Sequence, residues 1–222
     1  MITDPHNLHK ILCCQNSSCG FRFPVNPHEK QPTKCPRCES PLSIAEAPYR
    51  SFAVPEKAEP LRGNGFSAVL DNIRSAYNVG SIFRTADGAG IKNLFLCGMT
   101  PTPENRKVGK TSLGAEQAVS WQHSWSTQIT VEDLIRAGTY VVALEGGDSA
   151  INIFDALPLI RQHNQPVALV VGNEVSGVDP EVVSLAQLCI YIPMEGVKES
   201  LNVASAFGIA AYLIRYQGRN NE

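Results

Sequence analysis

The chain has 222 residues, 43% of them apolar and 18% charged, with a formal charge of −2 at neutral pH. That balance excludes a chain disordered throughout and a polycationic nucleic-acid arm. No stretch approaches the roughly 18 uninterrupted apolar residues of a membrane-spanning helix, and the opening MITDPHNLHK has no apolar core of signal-peptide length, so the expectation is a cytoplasmic protein with no membrane contact.

The charge is unevenly spread. Residues 1–62 carry 8 Lys and Arg against 6 Asp and Glu, and residues 63–222 carry 11 against 15. Five of the seven cysteines fall between residues 13 and 38. Without a secretory signal, such crowding reads as metal binding and not as a disulfide framework. With Cys14 as the first ligand the spacing is C-x4-C-x15-C-x2-C, through Cys19, Cys35 and Cys38. Two short-spaced pairs on two turns can deliver the four soft ligands of a closed, structural zinc site. Gly20 lets the first turn reverse, and Phe21, Phe23 and Val25 read as a ribbon strand. Cys13 competes with Cys14 as first ligand. Lys10, Arg22, Lys30, Lys34 and Arg37 crowd the same segment and make it a candidate RNA-recruiting surface. The histidines offer no H-x-x-x-H pair, so no second metal site is expected.

The division expected is a zinc-ribbon-like domain over 1–42, a linker over 43–64 with three prolines, and a main domain over 65–222. In chain order the main domain reads as a strand at Phe66–Leu70, a helix at Tyr77–Ala89, a strand at Asn93–Cys97, a short helix at Val131–Ala137 and a strand at Thr139–Leu144. Then come a strand at Pro166–Val171, a helix at Asp179–Leu185, a strand at Cys189–Ile192 and a long helix at Ser200–Gln217. Strands apolar on both faces, alternating with helices, mean an α/β fold with a mainly parallel sheet. Cys97 and Cys189 fall in such strands as inert thiols. Arg106, Lys107 and Lys110 lie in a polar segment, read either as RNA-backbone contacts or as a solvated loop. Trp121 and Trp125 read as core or dimer packing, with base stacking as the alternative.

Ligands of such sheets bind beyond the C-terminal strand ends. Three strands end there in glycine-bearing or polar turns: Leu144-Glu145-Gly146-Gly147, Val171-Gly172-Asn173-Glu174 and Ile192-Pro193-Met194. Neither G-x-G-x-x-G after the first strand nor a P-loop is present. Three further features stand in register: Asn78-Val-Gly80-Ser-Ile-Phe-Arg84 through Gly90, Leu169-Val-Val-Gly172-Asn173-Glu174-Val-Ser-Gly177, and Ile192-Pro193-Met194 followed by Ser200-Leu201-Asn202-Val-Ala204.

Together these motifs resemble the SpoU/TrmH-type family of RNA ribose methyltransferases, within the SPOUT superfamily, over about Phe66 to Gln217. The cysteine-rich head is a departure from the family's usual form. The resemblance implies a C-terminal trefoil knot, a homodimer, S-adenosylmethionine as cofactor, and methyl transfer to a ribose 2′-hydroxyl of tRNA or rRNA. It places the cofactor on Leu144, Glu145, Gly146, Gly172, Asn173, Glu174, Ile192, Pro193, Met194, Ser200, Leu201, Asn202 and Ala204. It places the chemistry on Arg84, Asn78, Glu174, Ser200 and Asn202, with Arg84 assigned to activation of the hydroxyl. A non-catalytic RNA-binding protein on the same scaffold is the alternative. A zinc-ribbon oxidoreductase is excluded for want of a nicotinamide fingerprint.

Overall fold

The structure is a computed structural model that describes residues 10–26, 28–45 and 65–216. It divides into two compact units, Met1–Glu59 and Pro60–Glu222.

In the first unit three short strands, β1 (Lys10–Cys14), β2 (Arg22–Val25) and β3 (Leu42–Ile44), form an antiparallel sheet in the order β2-β1-β3. The third strand runs two residues into the stretch expected as linker; the remainder of that stretch, 46–64, lies outside the described residues. Two knuckles carry the cysteines. Asn16 closes the first, its carbonyl accepting from the Cys19 and Gly20 amides and its side chain from the Ser18 amide. Gly20 there has φ +57°. In the second, Cys35 and Ser40 pair through the Cys35 amide, and the Glu39 amide returns to the Cys35 carbonyl.

The second unit is built on a seven-stranded sheet. Its strands are β4 (Phe66–Asp71), β5 (Asn93–Cys97), β6 (Ser120–Ser124), β7 (Tyr140–Leu144), β8 (Ile151–Asn152), β9 (Val167–Val171) and β10 (Leu188–Tyr191), in the order β6-β5-β4-β9-β7-β10-β8. Every pairing in it is parallel, so every strand delivers its C-terminal end to one rim. The last two long strands are inserted late: β9 enters between β4 and β7, and β10 between β7 and β8.

Among the described residues seven helices accompany the sheet: α1 (Ala76–Ala89), α2 (Arg106–Ser112), α3 (Ala115–Ala118), α4 (Thr127–Arg136), α5 (Ile153–Gln162), α6 (Pro180–Leu185) and α7 (Val203–Tyr216). Strand residues alternate between two cores. Ala68 and Leu70 of β4 and Leu169 and Val171 of β9 face the larger core, with Ile82 and Phe83 of α1, Ile153 and Ile160 of α5 and Phe207 of α7. Val69, Ala168 and Val170 face the smaller one, with Val131 of α4 and Val182 of α6.

The sequence reading missed α2, α3, α5, β6 and β8. The polar segment around Arg106, Lys107 and Lys110 shows no apolar period, yet Arg106–Ser112 is a helix. Asn105 caps it by accepting from the Lys107 amide, and Val108 is fully buried while Arg106, Lys107 and Lys110 remain exposed. Helix α5 carries Pro158 in its interior, which hid it; burial of Ile153, Ala156, Leu157 and Ile160 compensates for the missing backbone donor. The long C-terminal helix begins at Val203, not at Ser200, because Asn202 supplies the cap: its Oδ1 accepts from the Ala204 and Ser205 amides.

Helix α2 packs closely on α1 at Gly80, where a Cβ would collide with the Thr111 hydroxyl and the Val108 carbonyl. Gly80→Ala therefore forces the two helices apart. Equilibrium urea denaturation should show a loss of about 1–3 kcal/mol, in the range for overpacking a well-filled core. An unchanged midpoint would mean that α2 is not held against α1 in this way.

Candidate functional site

Three turns at the C-terminal rim enclose one cavity of about 650 Å3. They follow β7, β9 and β10. Of the thirteen residues expected at a cofactor, eleven line it: Leu144, Glu145, Gly146, Gly172, Asn173, Glu174, Ile192, Met194, Ser200, Leu201 and Asn202. Pro193 and Ala204 do not. Sequence reasoning missed Gly147, Val171, Val175, Ser176, Gly177, Tyr191, Glu199 and Ala206, which also line it, as does Val203 between the expected Asn202 and Ala204. Most sit within a few residues of an expected one, so lengthening each turn would have found them.

Each turn is locked by its own polar side chains. After β9, Asn173 and Gly177 exchange two backbone hydrogen bonds of 2.9 Å, while Asn173 Oδ1 accepts from the Val175 and Ser176 amides. Asn173 Nδ2 donates to the Asn72 carbonyl at 2.7 Å, tying this turn to the end of β4. Glu145 reaches over from the β7 turn, its Oε2 accepting from the Val178 amide at 2.7 Å. A Cβ at Gly172 would strike the Gly177 carbonyl carbon and the Val178 nitrogen, so only glycine lets the turn fold back on itself there. At Gly146 and Gly147 a Cβ would instead meet open space. Both glycines line the cavity.

Glu174 leaves the β9 turn and reaches the start of α1. Its carboxylate accepts from the Arg74 amide at 2.8 Å, the Ser75 amide at 3.0 Å and Asn78 Nδ2 at 2.8 Å. Asn78 Oδ1 in turn accepts from Asn202 Nδ2 at 3.1 Å. One chain of hydrogen bonds therefore joins the turn after β9, the first turn of α1 and the start of α7. Burial alone would raise the Glu174 carboxyl, but the donors from Arg74, Asn78 and Ser75 outweigh it and hold the group below its ordinary range. The positive end of the α1 dipole acts in the same direction.

Asp71, buried at the end of β4, completes the support. It accepts from the Thr127 hydroxyl and Asn72 Nδ2 through Oδ1, and from the Asp179 amide through Oδ2. It thus fixes the start of α4 and of α6 relative to the rim.

Asn78, Glu174, Ser200 and Asn202 are thus brought together and Arg84 is not. Arg84 lies six residues beyond Asn78 on α1, about 9 Å along the helix axis. Its side chain is exposed, lies outside the cavity and makes no ion pair among the described residues. Trp121 packs partly buried against the larger core, while Trp125 stands 86% exposed. His123 bonds the Gly98 carbonyl through Nε2 at 2.9 Å, and His163 stacks on Tyr140. Cys97 is buried and Cys189 half-buried, and burial pushes both thiols up, as expected of inert groups.

In the first unit the sulfurs of Cys14, Cys19, Cys35 and Cys38 all lie within 4.8 Å of one another. The Cys14–Cys38 and Cys19–Cys35 separations are 3.4 and 3.9 Å. Four sulfurs about 2.3 Å from a tetrahedral zinc stand about 3.8 Å apart, so the set fits that ion. Cys13 is outside the cluster. Arg37 ties the two knuckles together by donating to the Cys19 carbonyl. Hydrogen bonds from the Ser40 side chain and backbone lower the Cys38 thiol to about 6, while burial and the neighbouring thiols push the Cys14 thiol up to about 12.

The sequence profile of the SpoU rRNA Methylase family matches residues 65–212. The chain is 30% identical over 149 residues to the tRNA (guanosine(18)-2′-O)-methyltransferase of Aquifex aeolicus, an alignment covering 64% of this chain and 64% of that protein. It is 29% identical to the 23S rRNA (guanosine(2553)-2′-O)-methyltransferase RlmP of Bacillus subtilis, over 79% of this chain and 68% of that protein. Among solved structures, the TrmH/SpoU tRNA modifying enzyme of A. aeolicus superposes with a TM-score of 0.61 at 27% identity, over 69% of this chain and 75% of that one. An AdoMet-bound rRNA methyltransferase from Sinorhizobium meliloti superposes with a TM-score of 0.60 at 30% identity, over 69% of this chain and 57% of that one. The chain thus spans somewhat under two thirds of the length of the Aquifex tRNA methyltransferase. Its mainly parallel sheet with flanking helices matches the SPOUT methyltransferase structures.

The hydrogen bonds at Glu174 make a pH-dependent contribution to stability. Its carboxyl titrates lower in the folded chain than in the unfolded one, where a glutamate titrates near 4.3. The contribution is therefore complete above about pH 4.3 and disappears as pH falls through the lowered folded value. Glu174→Gln should be less stable than the parent at neutral pH in urea denaturation, and the gap should shrink on acidification. A gap that stays constant with pH would show that the charge on Glu174 is not what these donors hold.

Proposed function

The chain belongs to the SpoU rRNA methylase family, and from that premise we propose that it is an S-adenosylmethionine-dependent RNA 2′-O-methyltransferase that acts on tRNA or rRNA as a homodimer in the cytoplasm. The observation that carries this reading is the convergence of three separate turns on one cavity, joined through Glu174, Asn78 and Asn202. No described helix is long and apolar enough to cross a membrane.

The cavity suits the cofactor. Its volume lies within the range of small-molecule sites, its walls mix apolar side chains with backbone polar groups, and Gly146 and Gly147 leave space for a ligand against the main chain. Leu144, Ile192 and Leu201 offer apolar surface to an adenine ring, and the carboxylates of Glu145 and Glu199 stand at the wall. When bound, S-adenosylmethionine supplies a methyl group already activated on a sulfonium. The trefoil knot implied by the family would be tied by these same turns.

The protein's task is then chiefly positioning. A ribose hydroxyl must shed its proton as it attacks, and the Arg84 guanidinium, which carries only donors and no acceptor, is a poor base. In place of the hydroxyl activation that the resemblance implies, Arg84 would bind the adjacent phosphate and lower the cost of the developing alkoxide. Asn78, held by Glu174 and Asn202, would orient the ribose, with Ser200 shaping the floor. The exposed position of Arg84 outside its own cavity supports a substrate site completed by a second copy of the chain. Arg106, Lys107 and Lys110, exposed on α2, would contact the RNA backbone.

The cysteine head would hold one structural zinc on Cys14, Cys19, Cys35 and Cys38. With four thiolates the coordination sphere is closed, so the ion takes no part in chemistry. Lys10, Arg22, Lys30, Lys34 and Arg37 would help recruit RNA.

Arg84→Ala should lose methyl transfer from labelled S-adenosylmethionine to RNA while its cofactor affinity, read by calorimetry, stays within a few fold of the parent. Near-normal turnover would remove Arg84 from the mechanism, and a parent protein without affinity for S-adenosylmethionine would favour a non-catalytic RNA-binding role. Metal analysis of the full chain should give one zinc per chain. A stoichiometry near zero would remove the zinc site.

A further inference from the structure

We propose that Trp125 is a stacking platform for an unpaired RNA base flanking the methylated nucleotide. The inference rests on the RNA-directed function argued above and identifies how single-stranded substrate would be held.

Strands β4, β5 and β6 end level with one another, because Asp71 pairs with Cys97 and Cys97 with Ser124. The residues that follow, Asn72 to Arg74, Gly98 to Met99, and Trp125, therefore emerge together on the rim that carries the cavity. Two strand spacings separate β6 from β4, about 10 Å. Trp125 comes directly after β6 and is 86% exposed. So large an apolar surface is seldom left in water. The indole has a defined seat: it meets the His123 ring edge to face, with centroids 4.7 Å apart, and His123 is itself fixed on the Gly98 carbonyl. The ring is exposed, yet supported from beneath.

The path from Trp125 to the proposed reaction centre is apolar and basic. Met99 is 65% exposed, and its amide donates to Asn72 Oδ1, which anchors it beside β4. Arg74 is exposed and Tyr77 is 46% exposed, and the next residue is Asn78. The carboxylates closest along this route are spent on internal hydrogen bonds, Asp71 in the interior and Glu174 on the start of α1. Glu104 is an exposed carboxylate in the loop after Met99, and three cations on α2, Arg106, Lys107 and Lys110, follow it closely. Aromatic faces interleaved with cations are what a single strand of RNA needs, since every base has a face to stack and every linkage a phosphate to neutralise. Trp121, also on β6, packs against the core instead and cannot serve.

The test uses the full chain. Trp121→Phe leaves Trp125 as the sole tryptophan, and its fluorescence is titrated with a short single-stranded RNA of mixed sequence and with the same sequence as a duplex. The single strand should quench the emission strongly and the duplex weakly. In the parent background Trp125→Ala should weaken single-strand binding by about tenfold, within the range for losing one stacked base. Trp125→Phe should recover part of that loss, and S-adenosylmethionine affinity should not change. Equal affinity of Trp125→Ala for the single strand, or equal quenching by both probes, overturns the proposal. So does a lower sedimentation coefficient for Trp125→Ala, which would assign the indole to contact between two copies. Methylation of total RNA by the parent protein is read in parallel. If the parent methylates RNA and Trp125→Ala does so with unchanged KM, the stacking site is wrong and the functional reading stands. If the parent neither binds nor methylates RNA, both fall.

Discussion

A single carboxylate carries the organisation of the rim. Glu174 accepts three hydrogen bonds at the start of α1, and through Asn78 it reaches Asn202 at the start of α7. Its three donors come from α1 and the residues leading into it, whereas Glu174 itself comes from the turn after β9, about a hundred residues further along the chain. Without it, the N-terminus of α1 would lose its anion, and Asn78 would lose the partner that fixes its amide. The cavity and the first-motif helix would then be neighbours with nothing polar to hold them in register. Because the bond partners belong to three separate chain segments, the site exists only when the whole sheet is assembled.

This dependence explains the strand order. The strands that bring in the second and third turns, β9 and β10, enter the sheet between strands laid down earlier. Their C-terminal turns therefore emerge beside β7 and β4 and not at an outer edge. Gly172 permits the tight return after β9, and Glu145 from the β7 turn clamps that return by accepting from the Val178 amide. Asp71, buried under the same rim, sets where α4 and α6 begin. Polar side chains at strand ends, each satisfied by backbone donors of another segment, thus do the work of aligning loops that the apolar core cannot align by itself.

The chain's motifs were legible because they combine glycine where the backbone doubles back with Asn, Glu and Ser where amides need acceptors. Gly172, Asn173 and Glu174 in one turn, and Asn202 ahead of an apolar helix, have few other uses. The strands apolar on both faces were legible for the same kind of reason. What could not be read was anything decided by distant partners. Pro158 argues locally against a helix, yet the burial of Ile153 and Ile160 outweighs it. The segment around Val108 shows one buried residue among cations, too little period to mark a helix. Trp121 and Trp125 are four residues apart with similar neighbours, and only the end of β6 between them separates a core residue from an exposed one. The last helix starts at Val203, about one turn later than its apolar pattern suggests, because Asn202 supplies the acceptor for its first amides. In the head, spacing alone left Cys13 and Cys14 equivalent. Strand β1 ends at Cys14, and the turn that follows it directs that sulfur to the other three.

The central claim is that three turns and the start of α1 form one binding unit for S-adenosylmethionine. Amide hydrogen exchange of the full chain, with and without S-adenosylmethionine, tests it most directly. The ligand should slow exchange together in residues 144–147, 172–178 and 200–205, and also at the start of α1, which it reaches only through Glu174 and Asn78. Protection confined to one turn, or none at all at saturating ligand, would contradict it.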